Sequence, residues 1–332
     1  MSLGVREHRT VGDDSRSATW ARRTGTIAVG QSAVKGGQLV LAIVLVHALS
    51  PGHWARVAFL LSIHLAATTL GTGNLHHGLV FFLPRTEVSQ RRALVAHTAS
   101  LLAASGAFIA IVLVALAAVI AGPLDVAGLV PWIAVAILLE LPTACAPMAL
   151  LAVGAIRRCA AWDLTATALL LGAVIVPAAA GWGAAGVVRG LAIQAAARLV
   201  IFSFVVLPSF AGRVRGVARG TTAAHLRYGF PLGLTLAASV LNRSVDKWYV
   251  AAFDSAHVGV HAIAAQEIPL LAVLPYAGGA VTVAALVEAF RHRDLTTASG
   301  LWLRQNRDDR RGRVPHLSGR PVDARPARAK VA

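Results

Sequence analysis

The sequence has few charged residues and almost no cysteine. Only 14% of its 332 residues are charged, whereas a soluble domain usually carries about 25%. Apolar residues reach 56%. The only two cysteines, Cys145 and Cys159, are too few for a disulfide framework or a zinc site, and we interpret both as packing residues. The composition therefore argues against a soluble domain and against a disulfide- or zinc-stabilised fold.

The beginning of the chain lacks the features of a secretory signal. Its first two dozen residues are polar, carry charges of both signs and contain no short apolar core before a small-residue cleavage site. We therefore interpret residues 1–24 as a cytoplasmic N-terminal arm.

Long apolar segments fill the chain from Thr24 to about Phe290, separated by short polar breaks. Several exceed the roughly 20 residues that a helix needs to cross a hydrocarbon core. This pattern predicts an all-α fold, a polytopic bundle of membrane-spanning helices. The predicted spans are residues 25–49, 55–81, 93–121, 128–153, 162–181, 184–208, 226–252 and 257–289.

The formal net charge of +16 reflects basic residues in the loops and in the final tail. The loops predicted to be cytoplasmic contain Arg85, Arg91, Arg92, Arg157, Arg158, Arg213, Arg215, Arg219 and Arg227. The opposite loops contain Arg56 but also Asp125 and Asp254. This asymmetry predicts that both termini face the cytoplasm. It also argues against nucleic acid as a partner and favours membrane lipid, because the basic residues do not form one continuous face.

The predicted spans divide the chain into four parts. After the arm, residues 25–210 form a first six-helix lobe, and residues 226–290 form two helices of a partial second lobe. Residues 305–332 form a basic tail, rich in arginine and proline, that is predicted to be disordered because it cannot bury enough apolar surface.

Three segments resemble a known transporter superfamily: KGGQLVLAIVLVHALSPGHWARVAFLLS, NLHHGLVFFLPR and RYGFPLGLTLAASVLNRSVDKWYVAAFDSAHVGVHAIAAQ. They are similar to the multidrug/oligosaccharidyl-lipid/polysaccharide exporters, and specifically to the polysaccharide-biosynthesis flippases of that superfamily. The resemblance implies two lobes around a central cavity, and translocation of lipid-linked sugars across the cytoplasmic membrane by alternating access. It implies no cofactor, a lipid-linked sugar as substrate, and polysaccharide polymerases or glycosyltransferases as candidate partners. Because the resemblance stops after about Arg304, we expect a chain truncated at its C-terminus, with eight helices.

Polar residues inside the predicted spans are the candidate site residues. An ionisable residue at the bilayer centre costs at least about 2.5–3.5 kcal/mol, so it usually faces a partner or a wet cavity. Lys35, Arg198, Asn242 and Arg243 are candidates for a cationic cavity that binds the pyrophosphate of a lipid carrier, because guanidinium groups grip phosphate at two points. Asp246, Glu140 and Glu267 are candidates for binding a coupling proton or sodium ion. The alternative is internal charge pairing that holds helices together.

No catalytic, metal or cofactor motif is predicted. The spacings of five histidines do not suit a metal site, and we interpret them as packing or interface residues: His47, His53, His64, His76 and His77. The segment GWGAAG lacks the lysine of a phosphate-binding loop.

Three other functions remain open. A drug or metabolite antiporter of the same superfamily would rely on carboxylates more than on arginines. A truncated chain could also be a non-transporting membrane protein or an accessory subunit. A membrane-embedded glycosyltransferase or polymer ligase is disfavoured because the predicted outer loops are short, as in SPGHWAR.

Overall fold

The computed structural model describes residues 11–122, 124–214 and 220–265. Within these ranges the chain is helical and contains no β-strand. The prediction of an all-α fold, a polytopic bundle of membrane helices, is confirmed.

Eleven α-helices follow one another along the described chain. They are α1 (Val11–Ala48), α2 (Pro51–Thr72), α3 (Gly78–Phe82), α4 (Arg91–Ala115), α5 (Ala117–Ala121), α6 (Val130–Glu140), α7 (Cys145–Ala152), α8 (Ile156–Ala179), α9 (Gly183–Ile201), α10 (Thr221–Phe253) and α11 (Val258–Ala264). A 3₁₀ turn at Leu141–Ala144 joins α6 to α7, and a π-helical turn at Phe202–Val206 extends α9.

Six helical segments of the described chain are long and apolar enough to cross a membrane. They are Gly25–Ala48, Pro51–Thr72, Val88–Ala115, Ala127–Ala152, Ile156–Ala179 and Gly183–Ser209. These segments match the first six predicted spans, which make up the predicted first lobe. Helix α10 covers the seventh predicted span but is less apolar, because it contains charged residues such as Asp246 and Lys247. Helix α11 begins the eighth, and residues 266–332 lie outside the described part of the chain.

Local sequence signals explain where the helices begin and end. The Ser50 hydroxyl accepts a hydrogen bond from the backbone N–H of His53 at 3.4 Å, and Pro51 occupies the first turn, so α2 begins there. Gly73 ends α2 in a left-handed conformation with φ of 47°. Helix α1 starts at Val11, so it includes part of the predicted N-terminal arm.

The first-lobe helices pack in the order α1, α8, α9, α6 and α4. Small residues allow close approach: a Cβ atom on Gly190 of α9 would overlap the Ala173 carbonyl of α8. A Cβ on Gly37 of α1 would lie 2.5 Å from the Thr167 methyl group of α8. Such contacts between small residues are typical of helices that pack within membranes.

Helices α10 and α11 form a hairpin, here called the second-lobe hairpin, that packs against α2. One face of α10, which includes His225, Ser244 and Ala251, is buried. The opposite face exposes Leu234, Val245 and other apolar side chains. The hairpin is therefore attached to the six membrane-spanning segments through α2.

Candidate functional site

Glu140 and Arg198 form an ion pair near the middle of two membrane-spanning segments. Glu140 is the last residue of α6, just before the turn that contains Pro142, and Arg198 lies on α9. Arg198 Nη1 is 2.6 Å from Glu140 Oε1, and the two side chains are only 15% and 22% exposed. The guanidinium that was predicted to bind phosphate is therefore already neutralised by a carboxylate.

His64 and Trp162 surround this ion pair. His64 Nε2 on α2 lies 3.0 Å from the second oxygen of Glu140. The Arg198 guanidinium carbon is 5.6 Å from the centre of the Trp162 ring on α8, which places the cation near an aromatic surface. Arg198 Nε is buried and has no hydrogen-bond partner among the described residues.

A second buried carboxylate, Asp163, lies next to Trp162 on α8. Its Oδ2 accepts a hydrogen bond from Gln31 Nε2 of α1 at 3.1 Å, and the residue is only 9% exposed. No cation in the described part of the chain forms an ion pair with it. We call Gln31, His64, Glu140, Trp162, Asp163 and Arg198 the first-lobe network.

Lys35 lies on α1, one turn after Gln31. Its side chain is partly buried, and Nζ donates a hydrogen bond to Gln38 Oε1 at 3.5 Å. Residues spaced three and four apart share one face of a helix, so Gln31, Lys35 and Gln38 form a polar stripe along α1. Within the described ranges no carboxylate lies at ion-pair distance from Lys35.

The other candidates lie in the second-lobe hairpin. Asp246 Oδ2 is 3.1 Å from His261 Nε2 across the turn between α10 and α11, and the two side chains are 44% and 33% exposed. Asn242 is exposed on α10. Arg243 lies in α10, but its side chain is outside the described part, as is the whole of Glu267.

The structure brings together some of the predicted site residues and not others. Arg198 and Glu140 meet, although they were predicted to serve a phosphate cavity and an ion site respectively. Asn242 lies on the hairpin, away from the first-lobe network. The roles proposed for Lys35, Asp246 and Arg243 remain predictions.

Sequence reasoning missed four members of the first-lobe network. Gln31 and Asp163 were not singled out, Trp162 was interpreted as an interfacial anchor near a helix end, and His64 was interpreted as a packing residue. The four-residue spacing of Gln31 and Lys35 was an available signal for a polar face on the first span. No described group of three or more histidine, cysteine, aspartate or glutamate side chains could hold a metal ion.

Comparison with known proteins shows the fold. No protein-family model matches the sequence, and no curated protein matches it. The structure resembles a MATE crystallised in complex with Br-NRF, with a TM-score of 0.64 and 15% identity over 86% of this chain and 70% of that one. It also resembles an outward-facing multidrug resistance MATE family transporter of the MOP superfamily, with a TM-score of 0.65 and 16% identity over 86% of this chain and 68% of that one.

A eukaryotic MATE transporter gives a TM-score of 0.56 and 13% identity over 86% of this chain and 68% of that one. At such identities the likeness establishes a shared fold. The fold expected from the superfamily resemblance is therefore confirmed, and the polysaccharide-flippase branch is not.

Proposed function

We propose that this chain is a multi-pass transporter of the cytoplasmic membrane that moves a lipid-linked oligosaccharide or polysaccharide precursor by alternating access. The shared MATE fold supports transport as the general activity. The three sequence segments that resemble polysaccharide flippases support the substrate class. Membrane lipid and enzymes of polysaccharide assembly are the partners that this function implies.

The observation that carries the substrate proposal is the unpaired state of Lys35. A cation in the middle of a membrane span normally has a counter-charge. Arg198 has one in Glu140, whereas Lys35 has only the Gln38 amide among the described residues. The pyrophosphate of a lipid carrier would supply the missing negative charge. Arg243, which lies in α10, is the proposed second contact of the pyrophosphate.

Ion coupling is proposed to depend on Asp163 in addition to Asp246, Glu140 and Glu267. A buried carboxylate without a paired cation is stabilised by gaining a proton or a sodium ion. Asp163 fits this description because its described hydrogen bond comes from the neutral amide of Gln31. Glu140 is less available, since both of its oxygens already face basic side chains.

A drug or metabolite antiporter is the second candidate function. One structural neighbour is a multidrug resistance transporter. The buried carboxylates Glu140 and Asp163 would suit an exchange of organic cations for protons. The engagement of Arg198 with Glu140 also removes one of the predicted phosphate contacts.

Transport by the full chain in proteoliposomes separates these functions. The probes are a fluorescent short-chain polyprenyl-pyrophosphate sugar and the amphiphilic cation ethidium. We expect translocation of the pyrophosphate probe, and a decrease of at least about tenfold, equivalent to about 1.4 kcal/mol, in the Lys35→Gln variant. Arg157, an exposed residue in the first turn of α8, provides the matched control, and Arg157→Gln should retain the wild-type rate.

Each alternative predicts a different result. Translocation of ethidium alone, unaffected by Lys35→Gln, would support the antiporter. Movement of neither probe above the level of empty liposomes would contradict transport and favour a non-transporting membrane protein.

A further inference from the structure

The second-lobe hairpin contacts the first lobe at both ends of α2, through different chemistry. We call the end that bears the connection between α2 and α4 the inner end, because it is predicted to be cytoplasmic. At the other, outer end, Trp54 Nε1 donates a buried hydrogen bond to the Gly259 carbonyl at 3.0 Å. Further along α2, Trp248 Nε1 donates to the Ser62 hydroxyl at 3.1 Å. Neither contact contains a group that titrates near neutral pH.

At the inner end, two histidines join the hairpin to α4. His97 Nε2 on α4 lies 3.0 Å from the Thr222 hydroxyl on α10. His225 Nε2 on α10 lies 3.5 Å from the Thr98 hydroxyl on α4, and its Nδ1 lies 3.2 Å from the Thr221 carbonyl. The two imidazole rings are 6.5 Å apart. The inner contact therefore depends on two imidazole side chains, each of which can gain a proton.

Aromatic rings surround His225, the buried member of the inner contact. His225 is fully buried, with its ring 4.6 Å from that of Phe82 on α3. Tyr228, one turn later on α10, lies 5.6 Å from the Phe81 ring and 5.8 Å from the Phe82 ring. These rings exclude water from His225, so its uncharged form suits the surroundings.

The hydrogen bonds of His225 do not offset the cost of a buried charge. A carbonyl can only accept, so Nδ1 carries the proton donated to Thr221. The Thr98 hydroxyl donates to the Leu94 carbonyl at 3.0 Å, so Nε2 lies 3.5 Å from an oxygen that already has a partner. Protonation would place a positive charge among aromatic rings. No described carboxylate forms an ion pair with His225 or His97. A second charge on His97, one ring away, would add repulsion.

The titratable groups around His225 are few. From α4, His97 faces it, and from its own helix the flanking groups are Arg227 and Tyr228, both exposed. From α3, the contacts are Phe82 and Gly78, which do not titrate, and His77 directly precedes Gly78. Burial lowers the pKa of His77, because the charged imidazole loses its hydration. His77 therefore provides no counter-charge for a protonated His225.

We propose that His97 and His225 form a proton-sensitive inner gate between the first lobe and the second-lobe hairpin, which opens when these imidazoles become protonated. The outer contact through Trp54 and Trp248 stays closed under the same conditions. The gate rests on the alternating-access part of the proposed function, but its opening can be measured without any transport.

Spin-label distances in the full chain test this gate. In a Cys145→Ala, Cys159→Ala background, labels at Val88→Cys and Leu226→Cys report on the inner end. Labels at Ala48→Cys and Phe253→Cys report on the outer end, and all four sites are exposed. In lipid nanodiscs, we expect the inner distance to lengthen when the pH falls from about 7.5 to about 4.5, through and below the usual imidazole pKa of about 6.5. The window extends to low pH because burial lowers the pKa of His225. The outer distance should not change.

Histidine variants identify the groups responsible. His97→Gln with His225→Gln should abolish the inner shift, and His97→Gln alone should reduce it, so the test survives if the double variant does not fold. His257→Gln, at an exposed histidine paired with Asp254, is the matched control and should keep the full shift. An inner distance that is the same at both pH values, a shift in His97→Gln as large as in the wild type, or equal lengthening at both ends would overturn the proposal. Loss of transport with an intact gate would instead count against the proposed function alone.

Discussion

Two carboxylates, one within the six membrane-spanning segments and one in the hairpin, each contact a basic side chain but in different surroundings. Glu140 and Arg198 are 2.6 Å apart and only 22% and 15% exposed. Asp246 and His261 are 3.1 Å apart but 44% and 33% exposed. The first pair is enclosed by His64 and Trp162, so each charge depends on its partner. In the second pair, either side chain can interact with water, an ion or a substrate instead of its partner. Breaking this pair therefore costs less free energy.

The largest expected effect is the loss of Arg198. The Arg198→Met substitution leaves the Glu140 carboxylate buried without its main counter-charge. Removing one partner of a buried pair costs about 3–5 kcal/mol, so we expect a severe loss of stability against unfolding in detergent. The double variant Arg198→Met, Glu140→Gln should recover most of the loss. Arg189→Met, on the exposed face of the same helix, is the control, and equal losses at both arginines would contradict the account.

A smaller effect is expected from pH at His76, near the inner end of α2. Burial, followed by the nearby His77, lowers the pKa of His76 to about 3. The unfolded chain binds a proton below a pKa of about 6.5 and the folded chain does not, so stability should fall as the pH drops through that value. Between about pH 6.5 and pH 5 the loss attributable to His76 should be about 2 kcal/mol.

The His76→Gln variant measures that contribution. The unfolding temperature should decrease less below about pH 6.5 in His76→Gln than in the wild type. In His257→Gln, at an exposed histidine, it should decrease as in the wild type. An equal decrease in His76→Gln and wild type would show that His76 is protonated in the folded chain.

At the outer end of α2, Trp54→Phe keeps an aromatic ring and removes the hydrogen bond to the Gly259 carbonyl. Such a bond contributes about 1 kcal/mol, and the buried carbonyl would lose its partner. We expect faster amide hydrogen exchange in α11. Trp182→Phe, at an exposed tryptophan between α8 and α9, should not change this exchange. Unchanged exchange in Trp54→Phe would mean that the indole bond does not hold the hairpin.

The smallest effect on stability is expected at Asp246. Asp246→Asn breaks an exposed pair, and exposed pairs contribute about 0–1 kcal/mol. Thermal unfolding should therefore change little, while the dependence of transport on an ion gradient should weaken. A large loss of stability would show that the pair is structural, and the contrast between the two lobes would fail.

The sequence predicts the bundle well because each span is recorded locally as an apolar run. The predicted spans are wrong at helix ends, because a single residue there determines where the helix begins or ends. Gly73 ends α2 at Thr72, earlier than predicted, because it adopts a left-handed conformation. Helix α8 begins at Ile156, earlier than predicted, so that Arg157 and Arg158 belong to its first turn.

The candidate site is harder to predict because its partners are distant in the chain. Glu140 and Arg198 are 58 residues apart, and Gln31 and Asp163 are 132 apart. Asp246 contacts His261 across a turn, and spacing within one helix does not reveal such a partner. Asp163 lay at the edge of its predicted span, so it was not considered a charge inside the membrane.

The most direct test of the account is gradient-driven transport by the full chain, with Asp163 intact or replaced by Asn. In proteoliposomes, the polyprenyl-pyrophosphate sugar should move faster under an imposed proton or sodium gradient than without one. Asp163→Asn should remove that acceleration while the protein remains folded. Wild-type movement equal to that of empty liposomes, or acceleration that persists in Asp163→Asn, would contradict a transporter coupled through the first-lobe network.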